Sequence, residues 1–499
     1  MQSAIFVMKN DITAIFAFLR YFLSYKENMS RIIDGINWQH LYSFAFKQAL
    51  LGLCFDGIES LGKEYPEELK KNPIERDLLM AWMGAAQQIH RQNMKVNAVA
   101  GKLYSMLRED GLRCCILKGQ GNALMYPNAY SRNPGDIDVW VNASREQITE
   151  YAKKHFKLGD DIRYQHIETS VDGVPVELHF FPCTMNNPIY NARLQKWFKR
   201  NVDLQCSNVV SLPDGIGEIA IPTTAFNVVY QLTHLYHHFF DEGIGMRQII
   251  DYYYVVCDFY KVYQNSSKIT PSLFTLKEGS TSHPDPLSLR GEGGNRPTRC
   301  CICPTCPSPA GGSLTHSQAL ALSKRARDVT APSRCSEPLR SKDGGASKPS
   351  PDCAGWDRRG VSGDIASDAS VISAFTTDSS ASTALVVVQR ELKYLGLWKF
   401  AGAVMYVLHE VLGLAEDKMI VPMDEKRGRL LLAEILDGGN FGRHFSKYGG
   451  FTHQSMGKKY FLKIWRNMNF VRYYPAEALC EPLFRTWHFF WRLKNKIIK

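Results

Sequence analysis

Two aspartates spaced i and i+2 on an apolar strand constrain a chain strongly, because their charges must share one face. Residues 114–141, CCILKGQGNALMYPNAYSRNPGDIDVWV, read as a strand, a glycine turn, a short helix, a Pro-Gly turn and a second strand opening Asp136-Ile137-Asp138. Side chains alternate along a strand, so Asp136 and Asp138 point one way while Ile137 and Val139 point to the core. Neighbouring carboxylates repel unless a cation lies between them. Hard oxygen ligands suit Mg²⁺, which takes one or two carboxylates and completes its shell with water and substrate phosphates. The pattern points to metal-dependent phosphate transfer. A lone Asp-x-Asp also reads as two solvated edge-strand carboxylates, so further parts are needed.

A third carboxylate follows from alternation. In 174–180, VPVELHF, the residues Val174, Val176, Leu178 and Phe180 form an apolar face, and Glu177 and His179 share the other. His179 either lines the site or is a hydrogen-bonded structural histidine. A helix over 144–156 with a Ser144 N-cap precedes it, and Asp172-Gly173 marks a hairpin. A strand returning beside Asp136 brings Glu177 to the aspartates, and three carboxylates on adjacent strands can hold two cations. On the phosphate side, Lys118-Gly119-Gln120-Gly121 joins an apolar strand to a short helix. Its backbone N–H groups can approach phosphate oxygens. Lys118 adds a point charge, and Arg132 offers a planar fork. The bland readings are a surface lysine and an arginine paired with a carboxylate.

The order strand, Lys-Gly turn, helix, Tyr-Pro, Arg132, Pro-Gly-Asp-Ile-Asp strand and Glu-Leu-His strand resembles the polymerase beta-like nucleotidyltransferase superfamily. More narrowly it resembles a poorly characterised bacterial nucleotidyltransferase family with the pattern LKG…YP…R…DxD. The resemblance extends over most of 30–264 and 388–490. It takes in NWQHLY on through Gly57 as an N-terminal helix and HLYHHFFDEGIGMRQIID (234–251) as helical. In two places the chain departs from the superfamily: Lys118-Gly119 stands where Gly-Ser is usual, and Glu177 stands where Asp is common. The resemblance implies an α/β nucleotidyltransferase core, a mixed sheet with flanking helices. Asp136, Asp138 and Glu177 would serve as catalytic and metal-binding residues, with two Mg²⁺ ions or Mn²⁺ in their place. Lys118, Gly119, Gln120, Gly121 and Arg132 would bind nucleotide phosphates. The reaction implied is transfer of a nucleoside monophosphate from a nucleoside triphosphate, ATP among them, to an acceptor that is a small molecule, a protein or RNA. The alternatives are a non-catalytic nucleotide- or partner-binding module on the same fold, or an interrupted inactive copy.

A net charge of +11 over 499 residues suits anionic ligands. The Lys and Arg residues are scattered, and no specific DNA binding is expected. The N-terminal stretch is broken by Lys9, Asp11, Arg20 and Lys26. Its uncharged run 12–19 is far shorter than the ~20 residues of a span, so an amphipathic helix is expected rather than stable membrane insertion. Residues 1–28 read as an extension before a start near Met29. The aromatic, basic tail FFWRLKNKIIK reads as a packed terminal helix, with membrane-surface contact as the alternative. Of thirteen cysteines, seven lie singly or inside apolar strands and helices and read as buried small hydrophobes of a reducing, cytoplasmic protein.

Residues 265–386 change character. They are dense in Ser, Pro, Gly and Thr, poor in large apolar residues and without period, so they read as a long disordered insert. Cys300, Cys301, Cys303 and Cys306 lie there without a partner pair at zinc-finger spacing. Expected helices at 246–260 and 389–409 flank it. The expected organisation is an N-terminal helical region (1–100), an α/β core (101–215), helices (216–264), the insert (265–386) and further helices (387–499). Thr223 reads as a helix cap, and Arg247 and Asp251 as an i, i+4 pair. His234, His238 and Asp241 read as packed or substrate-facing residues rather than a metal site. GGNFG (438–442) reads as a tight turn, with ligand contact as the alternative.

Overall fold

The computed structural model of the chain describes residues 2–24, 28–266, 381–445 and 456–497. The chain is mostly helical around a mixed sheet. Helices α1 (Gln2–Ser24), α2 (Trp38–Lys47), α3 (Leu51–Glu64), α4 (Pro66–Lys71) and α5 (Arg76–Glu109) lead into β1 (Cys114–Ile116), α6 (Gln120–Ala123) and β2 (Ile137–Val141). Then come α7 (Arg145–His155), β3 (Leu158–Ile162), β4 (His166–Val171), β5 (Val174–His179) and α8 (Pro188–Ser207). A small ribbon, β6 (Val209–Ser211) with β7 (Glu218–Ala220), precedes α9 (Thr224–Asp241) and α10 (Met246–Ser266). The chain resumes with α11 (Ala381–Tyr394), α12 (Trp398–Leu412), α13 (Glu425–Gly438), α14 (Met456–Met468), α15 (Pro475–Ala478) and α16 (Glu481–Ile497). Most of the expected insert, with its four clustered cysteines, lies between α10 and α11, outside the described residues.

The sheet order is β1-β2-β5-β4-β3, with β2 and β5 parallel and the other pairings antiparallel. Alternation divides it into two unlike faces. Ile137, Val139, Val176, Leu178 and Ile167 bury one face against Val96, Leu103 and Leu107 of α5 and Ile148 of α7. The other face carries Asp138, Trp140, Glu177 and His179, and α9 lies over it. Along α9 the side chains at 226, 230, 234 and 238 form one ridge by helical spacing. Phe226 stacks on Trp140 and on Trp197, and His234 and His238 reach the polar end. One helix ridge therefore packs an apolar floor at one end of the sheet and roofs a polar site at the other.

Local signals account for most boundaries. Ser144 caps α7 in a capping box whose third residue is Gln147. Asp172 (φ 51°) and Gly173 (φ 75°) make the tight turn between β4 and β5. Three expectations are corrected. The N-terminal helix through Gly57 is two helices, α2 and α3, broken where Ala49 takes φ 57°. The break frees Gln48, whose side chain accepts from Met246 N and donates to Ile435 O. The helix over 389–409 is likewise two, interrupted at Gly396 (φ 74°), where the ring of Tyr190 leaves no room for a Cβ. Buried Leu395 and Leu397 preserve the apolar pattern across that break. Thr223 precedes α9, but its hydroxyl bonds to Gln205 Oε1 rather than capping the helix.

The N-terminal helix is built into the core: Phe18 and Leu19 are fully buried, and a Cβ added to Gly57 would lie 2.8 Å from Phe18 Cζ and 3.0 Å from Phe22 Cδ1. Trp487 and Trp491 of α16 pack edge-on against Tyr164, while Phe489 and Phe490 face outward. Among the described residues no helix is long and apolar enough to cross a membrane. The seven cysteines outside the central segment are free; five are buried, and Cys257 and Cys480 are half-buried.

Glu477 in α15 is buried and accepts from the backbone N–H groups of Asn186 and Asn187. Burial, partly offset by those two bonds, raises its pKa to about 7 from an ordinary 4.5. The folded chain thus holds one more proton than the unfolded chain between those values. This group's contribution to stability is therefore complete at pH 4.5 and falls as pH rises to about 7, by on the order of 3 kcal/mol. Glu477→Gln is expected to flatten that slope. Urea midpoints of both proteins at pH 5 and pH 8 test this, and a parallel pH response in the two would contradict it.

Candidate functional site

Asp138 pairs in register with Glu177 across the parallel β2–β5 ladder, and Glu168 of β4 lies opposite Glu177. One carboxylate oxygen from each of Asp136, Asp138 and Glu177 lies within 4.8 Å of the others. Asp138 is 2% exposed. Its Oδ1 lies 3.1 Å from His179 Nε2, and its Oδ2 accepts no well-directed hydrogen bond. Lys118 Nζ stands 3.2 Å from that Oδ2 and 3.0 Å from His234 Nε2. His234 Nε2 in turn lies 3.1 Å from His238 Nε2.

Electrostatics follow from this crowding. Burial works to raise the Asp138 pKa, but the Lys118 charge and the His179 bond outweigh it and hold the carboxyl well below its usual range. Burial also works against charge on His179, yet its bonds to Asp138 and Glu177 lift it to about 9. Glu177 is pushed up by burial and by the Asp138 charge, against its bond to His179. On Lys118 the burial effect is overcome by Asp138, Asp136 and Glu177, and its pKa rises. His234 is driven well down by burial and by the Lys118 charge, which leaves it neutral. A buried carboxylate oxygen that ion-pairs with Lys118 but accepts no well-directed hydrogen bond, beside two further acidic groups, is a donor set that fits a hard divalent cation.

These residues line a cleft of about 410 Å³, with His238, Phe441 and Arg443 on the opposite wall. A narrower recess opens from it past Gly119, Gly135 and Asp136 to Arg247. Gly119 takes φ 68°, a conformation open to glycine, and this turns the chain from Lys118 into α6 beside the Asp136 carbonyl.

The remaining residues singled out by sequence divide. Gln120 is buried and bonds Asn97, and Gly121 packs against Ile221, where a Cβ would lie 2.8 Å from Cγ2. Both hold the turn from behind and do not face the cleft. Arg132 lines the recess, but its fork is filled: Nε and Nη2 donate to Asp251 at 2.7 and 2.8 Å, and Tyr126 donates to the same carboxylate. Arg247 therefore lacks the expected partner Asp251. Its Nη1 donates to Asn133 O and its Nε has no partner, although the residue is buried. Burial and the Arg132 charge both lower its pKa. Asp241 is held by Lys463 and Arg485, so it is not drawn to the histidines. The GGNFG tract is a turn in which Phe441 takes φ 54°, with its ring 5.4 Å from the Arg247 guanidinium. A Cβ on Gly442 would lie 1.9 Å from Glu242 O, so this glycine lets the turn dock on the end of α9.

The sequence reading did not single out His166, or Arg247 as a recess residue; Phe441 lay within the GGNFG tract, for which ligand contact was the alternative. For His166 the signal was present. Counting back from the two-residue turn at 172–173 pairs His166 with His179 and Glu168 with Glu177, as observed.

Residues 34–263, just under half of the chain, match the model of a family described as uncharacterised nucleotidyltransferase. Over this stretch the chain is similar to that family. The stretch contains β1 through β7, α9 and most of α10, and hence Lys118, Asp136, Asp138, Glu177 and Arg247. The match ends at residue 263, so the 388–490 helices lie beyond it. A crystal structure of an antigenic nucleotidyltransferase-like protein from Paracoccidioides brasiliensis is similar at 15% identity, over 32% of this chain and 75% of that one, with a TM-score of 0.23. No match was found among curated proteins.

Proposed function

We propose that this protein transfers a nucleoside monophosphate from a nucleoside triphosphate to an acceptor hydroxyl, with release of pyrophosphate. The observation that carries the reading is the convergence of Asp136, Asp138 and Glu177 oxygens within 4.8 Å in the lining of a cleft, inside a stretch similar to a nucleotidyltransferase family. These three residues would hold Mg²⁺, two ions for preference, or Mn²⁺. The chemistry supplied by cations bound there is neutralisation of the triphosphate and a lowered pKa of the attacking hydroxyl. The acceptor oxygen bonds to the α-phosphorus, the bond from that phosphorus to the bridging oxygen breaks, and pyrophosphate leaves. Glu177 takes the acceptor proton. Lys118 and the Gly119 turn orient the phosphates. Arg132 acts from behind: its pair with Asp251 fixes the segment that delivers Asp136.

Arg247 lines the recess with its Nε unpaired, and we assign it to the triphosphate. A charge-assisted hydrogen bond contributes about 1.5–3 kcal/mol, so Arg247→Ala is expected to lower kcat/KM for the nucleotide by roughly 10- to 100-fold. Equal kcat/KM in the two proteins would remove Arg247 from the binding site. The proposal itself is tested by divalent-cation-dependent pyrophosphate release from ATP, CTP, GTP and UTP in turn, with cell extract as acceptor source. Release from at least one is expected in the wild type. Absence of both release and nucleotide binding in a folded sample would defeat the reading.

A further inference from the structure

The polar face of the sheet holds a second ligand cluster beside the carboxylates. His166 and His179 sit directly opposite each other on β4 and β5, with ring centroids 5.0 Å apart. One ligand atom from each of His166, Glu177 and His179 lies within 4.8 Å of the other two. Glu177 Oε2 is 3.3 Å from His166 Nδ1 and 3.1 Å from His179 Nε2. Metal–ligand bonds of about 2.0–2.2 Å put tetrahedral ligand atoms roughly 3.3 Å apart, so an ion that displaces the His179 Nε2 proton from its bonds to Glu177 and Asp138 fits with little movement. Asp138 Oδ1, 3.1 Å from the same His179 nitrogen, stands as a fourth donor.

A second observation is independent of the clustering. His166 is 8% exposed, and neither of its ring nitrogens has a hydrogen-bond partner. Buried polar groups are nearly always paired, and an imidazole left without a bond and turned towards a carboxylate is in the state required of a ligand. Its far nitrogen looks towards Glu168 Oε1 at 3.6 Å. Outer groups of this kind orient ligand histidines.

We propose that His166, His179 and Glu177, with Asp138 completing the set, form a binding site for a borderline transition-metal ion. The site adjoins the all-carboxylate cluster and shares Glu177 with it. Imidazole donors suit Zn²⁺, Co²⁺ and their neighbours, whereas Mg²⁺ prefers oxygen ligands and water. The site is therefore selective against Mg²⁺. This inference rests on the donor set and does not depend on nucleotidyl transfer.

Co²⁺ titration of the chelator-treated full-length protein tests it. Visible ligand-field bands of a low-coordinate site with nitrogen donors are expected, displaced by Zn²⁺ and retained in a large excess of Mg²⁺. His166→Ala should weaken Co²⁺ binding by at least about tenfold, and His166→Gln serves if the alanine variant does not fold. Asp136→Asn should leave the Co²⁺ spectrum intact. An all-oxygen octahedral spectrum in the wild type overturns the proposal, as does unchanged affinity in a folded His166 variant. Loss of pyrophosphate release with this spectrum preserved would count against the transferase reading alone.

Discussion

Asp251→Ala is expected to destabilise the protein by about 3–5 kcal/mol, the cost of stranding a buried charge by removing its partner. Arg132 and Arg247 are both buried, and Asp251 supplies the hydrogen-bonded counter-charge to the first. Removing it strands one guanidinium beside another and deprives the Tyr126 hydroxyl of its acceptor. The backbone at Arg132 is held independently, its carbonyl accepting from Asn93 Nδ2 at 2.8 Å. Urea denaturation of Asp251→Ala measures the loss. The double variant Arg132→Met/Asp251→Leu should recover much of it, because exchanging a whole buried pair for apolar groups is often neutral. A fall below about 1 kcal/mol in the single variant would mean that the pair is not as desolvated as its geometry implies.

Asp138→Asn is expected to lower nucleotidyl transfer by at least roughly a thousandfold while leaving the fold in place. The exchange removes one negative charge from a group lying between Lys118 and His179, with almost no change of shape. If the carboxylates neutralise the reacting phosphates through bound cations, several kcal/mol of transition-state stabilisation is lost, and each 1.36 kcal/mol is a factor of ten. Steady-state pyrophosphate release, set against an unchanged circular dichroism spectrum, measures this. A variant within tenfold of wild type would detach Asp138 from the chemistry.

The acidic cluster was legible because a strand has a period of two. Once Asp136 and Asp138 were placed at i and i+2, and Glu177 on the polar parity of its own strand, a parallel pairing sufficed to join them. The glycine turn was legible because Lys118-Gly119-Gln120-Gly121 follows an apolar strand and opens a short helix; the structure gives Gly119 φ 68° there. Gln120 and Gly121 misled because a residue beside a phosphate-type turn faces either the ligand or the core. Ile221 and Asn97, distant in sequence, decide which. The partner of Arg132 was illegible in the same way. Asp251 lies four residues after Arg247 on α10, which suggested a local pair, but the buried fork of Arg132 reaches it across 119 positions. Helix breaks at Ala49 and Gly396 were masked by apolar residues on both sides, so periodicity ran through them.

The central claim is that the α-phosphate of a nucleotide moves to an acceptor at the three carboxylates. Parallel incubations with nucleoside triphosphates labelled at the α- or the γ-phosphate, in cell extract with a divalent cation, measure this directly. The account predicts α-label on the acceptor, γ-label only in pyrophosphate, and neither product with the Asp136→Asn/Asp138→Asn double variant. Label on the acceptor from the γ-position, or α-label transferred undiminished by the double variant, would contradict it.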